Sequence, residues 1–276
     1  IFIKKKNNLL IISRSIIPAL VLSLTNYNVL LEIHTEMRGL TKAIFKIIVF
    51  FNFDQKLKYI LIHKKLNEKL QLHKKKFIVL DDCVDIRDFK KNVSVKNECV
   101  YTGSYVDGKG LNVILNIAKR LPDVKFNLYG NIRTIKKELK SLIIRQKNIK
   151  LNNYITYNKI PDIIKSNKVL LMPYEEKINV LIKNLDVSNY ISPLKLFDYL
   201  ASGSTIIATD KPAYSHILKN NFNSILISTL KTDEWVYKIK EIFNNKHNTL
   251  KIKKNALHTA KKYTWLSRCE KIISFI

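Results

Sequence analysis

The chain has 276 residues, of which 46% are hydrophobic and 10% aromatic, so it can bury a sizeable core and is not intrinsically disordered. Its 49 basic and 22 acidic residues give a formal net charge of +27. Part of this charge is compositional bias, and the rest favours an anionic membrane surface or an anionic substrate. The basic residues are spread along the chain and no nucleic-acid-binding motif occurs, so we expect no nucleic-acid partner.

Cysteine spacing and hydropathy bear on the compartment. The three cysteines have no paired spacing, which argues against a disulfide framework or a cysteine metal site and favours the reducing cytosol. No run approaches the ~18 apolar residues that span a membrane. The run Ala43 to Phe51 is short and contains Lys46, so we interpret it as a buried or interfacial helix. The chain enters an apolar segment as early as Leu9, and we expect an N-terminally incomplete first domain.

Strands and helices alternate along residues 1–95. The alternation predicts an α/β layer with a mostly parallel sheet. Residues 90–98 are polar and lack periodicity, so we place the boundary of the first domain there. The predicted strands are Leu9 to Ile12, Val29 to His34, Tyr59 to His63 and Phe77 to Leu80. The predicted helices are a segment ending near Leu24, Leu40 to Phe53, and Lys64 to Leu72.

A second α/β domain is predicted over residues 96–258, followed by a C-terminal helix over 259–276. Its predicted strands are Val100 to Gly103, Lys125 to Tyr129, Ile149 to Leu151, Val169 to Met172, Thr205 to Ala208 and Ser224 to Ile227. Its predicted helices are Leu111 to Arg120, Thr134 to Gln146, Ile160 to Ser166, Leu194 to Ala201, His216 to Asn220 and Thr232 to Asn244. A last helical stretch, Leu250 to Phe275, is predicted to break near Tyr263.

Residues 192–210 carry the clearest functional pattern. An amphipathic helix starts at Pro193, with Ser192 as its predicted N-cap, and ends at Gly203,. Lys195 lies in the first turn, where the positive end of the helix dipole disfavours a cation. That position suits a bound anion such as a phosphate. The alternative is an ordinary solvated lysine.

Two further positions lie where strands end. The loop 102–110, TGSYVDGKG, is rich in glycine and places Lys109 just before a helix, which suits an anion but also fits an ordinary turn. Its spacing is not that of an NTPase phosphate-binding loop. His34 ends a first-domain strand, where ligands bind in such sheets. The alternative for His34 is a structural histidine with a satisfied hydrogen bond.

These segments together resemble the donor-binding motifs of glycosyltransferase family 4, the group 1 enzymes of GT-B architecture. The resemblance implies two Rossmann-like domains facing a cleft, the first truncated, with the C-terminal helix crossing back to it. It implies that Asp198 binds the donor ribose and that Tyr190 and His34 face the donor sugar. We assign His34 to the reacting region, but not as a general base. The implied ligands of the diphosphate are Gly103, Ser104, Lys109, Ser192, Leu194 and Lys195.

Two positions depart from the family pattern. Tyr190 stands where the family has the first of two acidic residues, and Ser104 stands where it has an arginine. Lys195 can supply the missing cation. The departures keep open an alternative, a degenerate GT-B protein that binds nucleotide or glycan, or serves as a partner subunit, without catalysis. A nucleic-acid-binding protein is a third alternative that rests only on the net charge.

The function implied by the resemblance is transfer of a hexose from a nucleotide-diphosphate sugar, with retention at the anomeric carbon. The acceptor is expected to be a glycan or a lipid-linked molecule of cell-envelope polysaccharide synthesis. GT-B enzymes work without a bound metal, and no suitable carboxylate pair lies at a predicted strand end, so we expect no metal and no cofactor. We expect a cytoplasmic enzyme, peripheral on the inner face of the cell membrane.

Overall fold

A computed structural model describes residues 2–5, 8–25, 27–51, 56–178, 185–246 and 248–276, with the backbone alone at 2–5 and 8. The chain forms two compact units. The first unit comprises Ile1–Asp81, Tyr190–Ser192 and Cys269–Ile276, and the second comprises Asp82–Asn189 and Pro193–Arg268.

The sheet of the first unit has five strands in the order β1-β2-β3-β4-β5. These are β1 (Phe2–Lys5), β2 (Asn8–Ser13), β3 (Asn28–Ile33), β4 (Leu57–Leu61) and β5 (Phe77–Val79). Strands β2 to β5 are parallel, as predicted, whereas β1 pairs antiparallel with β2. The sequence pattern did not reveal β1, because four residues are too few to show an alternation.

The helices of the first unit are α1 (Ile16–Ser23), α2 (Gly39–Phe50) and α3 (Lys65–Leu70), which confirms the predicted alternation. The predicted end of α2, at Phe53, lies outside the described residues. One cluster of the core contains a residue from each of four strands or strand ends and one from the C-terminal helix. Its members are Leu10, Leu30, Ile60, Leu80 and Ile272.

The second unit has a fully parallel six-stranded sheet in the order β11-β10-β9-β6-β7-β8. The strands are β6 (Lys96–Thr102), β7 (Lys125–Tyr129), β8 (Ile149–Asn152), β9 (Asn167–Met172), β10 (Thr205–Thr209) and β11 (Ile225–Ile227). The order reverses between β6 and β9. In a doubly wound sheet, ligands bind beyond the carboxyl ends of the strands at this reversal.

The helices of the second unit follow the predicted segments with one exception. They are α4 (Leu111–Arg120), α5 (Lys137–Arg145), α6 (Ile160–Lys165), α7 (Leu194–Ser202), α8 (Thr232–Phe243) and α9 (Leu250–Ala260). The C-terminal helix α10 (Trp265–Phe275) begins in the second unit and continues into the first. The interval between α9 and α10 confirms the break predicted near Tyr263.

The predicted helix His216 to Asn220 is wrong. A short 3₁₀ turn at Pro212–Tyr214 precedes a loop there. The side chain of Asn223 accepts a hydrogen bond from the backbone N–H of Lys219 at 2.8 Å and donates one to the carbonyl of Ile217 at 2.8 Å. Asparagine thus satisfies backbone groups that a helix would have paired with each other.

The two units divide the chain at Asp81, earlier than the domain boundary expected at residue 95. Residues just after this point are hydrogen-bonded to other parts of the second unit. The N–H of Val84 donates to the carbonyl of Tyr263 at 3.0 Å, and the ammonium of Lys165 donates to the carbonyl of Phe89 at 2.5 Å. At the other end, the first unit takes in Cys269–Ile276 rather than the expected 259–276.

Candidate active site

Helix α7 begins at Leu194, and its N-cap is Pro193 in an extended conformation, with φ −83° and ψ 121°. The predicted N-cap, Ser192, is therefore wrong. Pro193, one residue later, still has extended backbone, so the first helical residue is Leu194 and the cap position falls on the proline. At the other end Gly203 has φ 74°, as predicted for a left-handed cap. The first-turn amides of Leu194 and Lys195 have no acceptor within the helix because of their position.

Lys195 is not a solvated surface lysine. Its ammonium nitrogen is buried and has no hydrogen-bond partner among the described residues. It lies 3.6 Å from the centre of the Tyr101 ring and 5.3 Å from that of Tyr174. Burial, and then the nearby charge of Lys109, lower the pKa of Lys195 well below its ordinary value. The side-chain nitrogen of Lys195 thus lies against aromatic rings, without a hydrogen-bonded carboxylate among the described residues.

Lys109 contacts the same aromatic residue, Tyr174, with its side-chain nitrogen 4.8 Å from the centre of the ring. Its side chain is buried, and burial lowers the pKa of Lys109 to about 8. Both lysines therefore contact one aromatic residue at the carboxyl end of β9. Like charges brought this close repel each other, and a bound anion would relieve the repulsion.

Two glycines allow this close packing. A side chain at Gly103, where φ is 138°, would place its Cβ 2.6 Å from the Lys195 ammonium. At Gly110, where φ is 87°, a Cβ would overlap the backbone carbonyl of Pro173. The N–H of Gly103 donates to the carbonyl of Tyr129 at 2.9 Å, which fixes the start of the loop. The loop is therefore more tightly constrained than an ordinary surface turn.

Asp198 is buried one turn further along α7. The hydroxyl of Tyr157 donates a hydrogen bond to its Oδ1 at 3.0 Å. Burial raises the pKa of Asp198 to about 7, although this hydrogen bond opposes the shift. Tyr157 follows β8 and is far from Asp198 in the sequence, so no sequence signal could have paired them.

Five of the predicted site residues line one cavity of about 360 Å³ in the second unit. They are Gly103, Ser104, Leu194, Lys195 and Asp198. Lys109 adjoins them through Tyr174. Helix α7 is held to the end of β6 because the hydroxyl of Tyr199 accepts a hydrogen bond from the N–H of Thr102 at 2.9 Å. The cavity therefore lies beyond the carboxyl end of β6, where the strand order reverses.

The other predicted residues belong to the first unit. The imidazole Nε2 of His34 lies 2.9 Å from the Glu32 carboxylate, so His34 has a hydrogen-bonding partner within its own strand. Tyr190 is buried, and burial together with the charge of Glu36 raises the pKa of Tyr190 to about 12. Sequence reasoning missed Glu36, because nothing local connects it with Tyr190. The roles of His34, Tyr190 and Ser192 towards a donor stay predictions.

The described residues lack two features, a group of side chains placed to bind a metal ion and a membrane-spanning helix. No group of three or more His, Cys, Asp or Glu side chains is placed to hold a metal ion within the described ranges. In the same part of the chain, no helix has the length and hydropathy required to cross a membrane. The positive charge at the described cavity comes from lysine side chains.

Comparisons with known proteins agree on the fold. The sequence pattern of the family described as "Glycosyl transferase-like" matches residues 112–274, more than half of the chain. Comparison with curated sequences gives no match. A glycosyltransferase from Rickettsia africae ESF-5 superposes with a TM-score of 0.75 at 16% identity, over 96% of this chain and 75% of that one.

Two further crystal structures are similar. Anabaena Alr3699/HepE in complex with UDP and glucose has a TM-score of 0.75 at 14% identity, over 96% of this chain and 77% of that one. TarM has a TM-score of 0.66 at 18% identity, over 91% of this chain and half of its own length. The two parallel-sheet units thus have the fold of GT-B glycosyltransferases, and the chain belongs to the glycosyl transferase-like family.

Proposed function

We propose that this chain is a family 4 glycosyltransferase that moves a hexose from a nucleotide-diphosphate sugar to an acceptor with retention at the anomeric carbon. The observation that carries the proposal is the pair of buried lysines, Lys109 and Lys195, beside the start of α7. A buried cation without a carboxylate partner is costly unless an anion binds it. The crystal structure of Anabaena HepE with UDP and glucose supports a nucleotide-sugar ligand for this fold.

The chemistry follows from the charge that develops as the glycosidic bond breaks. The leaving nucleoside diphosphate gains negative charge, and fixed positive groups in a dry site stabilise it. In our proposal Lys109 and Lys195 hold the diphosphate oxygens. The first-turn amides of α7, with the backbone N–H groups of Ser104 and Ser192, donate hydrogen bonds to them, and Gly103 lets the diphosphate approach the backbone closely. Because lysines supply the positive charge, the reaction needs no metal ion.

The remaining contacts orient the donor. The carboxylate of Asp198 accepts hydrogen bonds from the ribose hydroxyls, replacing the one it receives from Tyr157. His34 and Tyr190 face the sugar, and the carboxylate of Glu32 orients the imidazole of His34. This assignment gives His34 a contact with the reacting region, without the role of a general base.

We further propose that the acceptor is a glycan or lipid-linked molecule of envelope polysaccharide synthesis, reached at the cytoplasmic face of an anionic membrane. Helix α2 supports this, because it exposes Leu40, Ile47 and Phe50, with Phe51 directly after its end. The exposed lysines Lys42 and Lys46 lie on the same helix, which has no acidic residue in its sequence. An apolar surface with lysines suits the interface of an anionic bilayer.

The test is calorimetric titration with UDP and with GDP, each with magnesium and with EDTA. Micromolar binding that survives EDTA and weakens at least tenfold in Asp198→Ala supports the proposed donor site. Asp123→Ala is the control, since Asp123 is exposed and precedes the amino end of β7, at the opposite edge of the sheet. Binding without any turnover of UDP-hexose or GDP-hexose would favour the degenerate alternative in its nucleotide-binding form, and absence of binding of both nucleotides would contradict the proposed donor site.

A further inference from the structure

The ammonium of Lys195 occupies an unusual site in the second unit. It is buried among side chains, has no hydrogen-bond partner among the described residues, and contacts the face of Tyr101 at 3.6 Å. Lysine ammonium groups bind water strongly, and a buried one normally has a carboxylate or carbonyl acceptor. Here the neighbours are two aromatic rings and a second lysine.

We propose that Lys195 binds the donor diphosphate by taking up a proton. It is a neutral amine on the aromatic faces before the nucleotide arrives, and an ammonium once the diphosphate lies beside it. This inference rests on the proposed function, because it concerns the same site. The proton comes from the solvent or the buffer: the lone pair of the amine forms the new N–H bond while the bond of the proton to its donor breaks and leaves its electron pair there.

The groups that face Lys195 explain why it is neutral at first. From β6 comes Tyr101, and from the loop after β9 comes Tyr174. Burial raises the pKa of both phenols, so neither becomes a phenolate that could neutralise an ammonium. From the loop before α4 comes Lys109, whose charge repels a second one.

The one acid nearby on α7 is Asp198, which is engaged with Tyr157. The neighbouring charge that acts on Lys195, in addition to its burial, is that of Lys109. Burial and the neighbouring cation together therefore lower the pKa of Lys195. A diphosphate at the start of α7 reverses the second effect, because a nearby anion favours the charged form of an amine.

The contact of Lys195 with aromatic rings rather than with a carboxylate has a consequence for the reaction. A carboxylate beside Lys195 would keep it charged at all times and would compete with the diphosphate. The rings of Tyr101 and Tyr174 hold the amine in place without competing. The nucleoside diphosphate that leaves carries more negative charge than the donor, so protonation of Lys195 favours the leaving group over the donor. Interactions that strengthen towards the transition state accelerate the chemical step.

Calorimetry in two buffers measures the protons taken up on binding. UDP is titrated at pH 8 in EPPS and in Tris, which differ widely in ionisation enthalpy. The difference in observed heat gives the number of protons bound per UDP. For the unaltered protein we expect a substantial fraction of one proton, and a smaller fraction with UDP-glucose, whose diphosphate carries less charge.

Lys195→Arg is the decisive variant, since arginine stays charged at every accessible pH. Because Lys109, with a pKa of about 8, can itself take up part of a proton at pH 8, the comparison is made with arginine at position 109: Lys109→Arg should keep a substantial uptake, and the double variant Lys109→Arg/Lys195→Arg should bind UDP with almost none. Lys195→Met removes the charge and should lose both uptake and most of the affinity. Thermal unfolding of each variant shows that it is folded before titration.

The outcomes separate this inference from the proposed function. UDP binding without proton uptake in the unaltered protein overturns the inference and leaves the proposed function standing. Equal proton uptake by Lys195→Arg and by the unaltered protein also overturns the inference and leaves the proposed function standing, because the proton then binds to another group. Absence of binding of both UDP and GDP to the unaltered protein overturns both.

Discussion

The helices of the two units differ in how their apolar residues are used. In α4 of the second unit the buried positions, such as Ile114 and Ile117, alternate at helical spacing with exposed Asn112, Asn116 and Lys119, so its whole pattern is explained by packing. In α2 of the first unit only Phe45 and Ile48 are buried, while three apolar residues are exposed.

The units depart from the usual distribution of polarity in opposite ways. Around its cavity the second unit buries Lys109, Asp198 and the side-chain nitrogen of Lys195. The first unit instead exposes apolar side chains, also along α1 at Ile17, Val21 and Leu24. Buried charge indicates a ligand, and exposed apolar surface indicates a partner. The contrast matches our proposal that the second unit binds an anionic ligand and that the first binds an anionic membrane surface.

The largest expected effect comes from a substitution that disrupts the packing around the two lysines. Gly110→Ala forces a Cβ into the carbonyl of Pro173 at positive φ, so we expect the free energy of unfolding of the second unit to fall by about 3 kcal/mol or more. Gly39→Ala in the first unit is the control, because it shares a positive φ but has no atom within 4 Å of the added Cβ. Gly39→Ala should lower the free energy of unfolding by only about 1 kcal/mol. Urea unfolding of both variants compares them, and equal losses would contradict the steric explanation.

The next effect tests the lysines in turnover. Lys109→Ala and Lys195→Ala should each lower kcat by about a hundredfold to a thousandfold, because each removes charge from the developing diphosphate. Lys119→Ala is the matched control, since Lys119 is exposed at the far end of the helix that follows Lys109. Single-turnover assays with a labelled donor measure the loss. A fall below threefold in both site variants would rule the lysines out of the chemistry.

A third prediction concerns pH. Asp198, with a pKa of about 7, must be ionised to accept from the ribose, so affinity for UDP-glucose should fall as the pH drops below 7. Lys109, with a pKa of about 8, loses its charge above that value, so affinity should fall again on the alkaline side. We therefore expect the tightest binding between these limits, measured by calorimetry from pH 5.5 to 9.5.

Asp198→Asn separates the two limbs of this profile. The variant should bind weakly, and its affinity should no longer fall on the acid side, whereas the alkaline limb should remain. Because the folded-state pKa of Asp198 lies above its unfolded value, ionisation of Asp198 destabilises the second unit progressively as the pH rises from about 4 to about 7, and the full loss is present above that pH,. The variant should therefore unfold at a higher temperature than the unaltered protein at pH 8. A lower Tm for Asp198→Asn than for the unaltered protein at pH 8 would contradict the conclusion that a buried, ionised Asp198 destabilises the second unit.

The smallest effect concerns the first unit. Replacing Ile47 and Phe50 by serine should weaken binding to anionic liposomes about tenfold, while the free energy of unfolding changes little, because both side chains are exposed. Ile144→Ser on α5 of the second unit is the control, with 63% of its side chain exposed. Sedimentation with liposomes at physiological salt measures binding. If the unaltered protein shows no preference for anionic over neutral liposomes, the proposal that α2 binds an anionic membrane is wrong.

Local pattern accounts for what could be predicted. The bounds of α4 and β7 were predicted to the residue, because helical and strand periodicities are complete within one element. The cations Lys109 and Lys195 were recognisable for the same reason, since each lies beside the start of a helix. The two errors also have a local origin. Pro193 keeps extended backbone and takes the N-cap position in place of Ser192, and the side chain of Asn223 competes for the backbone groups near 216–220.

The sequence by itself determined the α/β class, the positions of most elements and the residue types that suit a diphosphate. Only the tertiary structure decided that Lys195 is buried on Tyr101, that Lys109 shares Tyr174 with it, and that Tyr157 reaches Asp198. The physical reason is range. Helix and strand preferences depend on residues a few positions apart, whereas desolvation, charge repulsion and the pKa of a side chain depend on groups that the fold brings from distant parts of the chain.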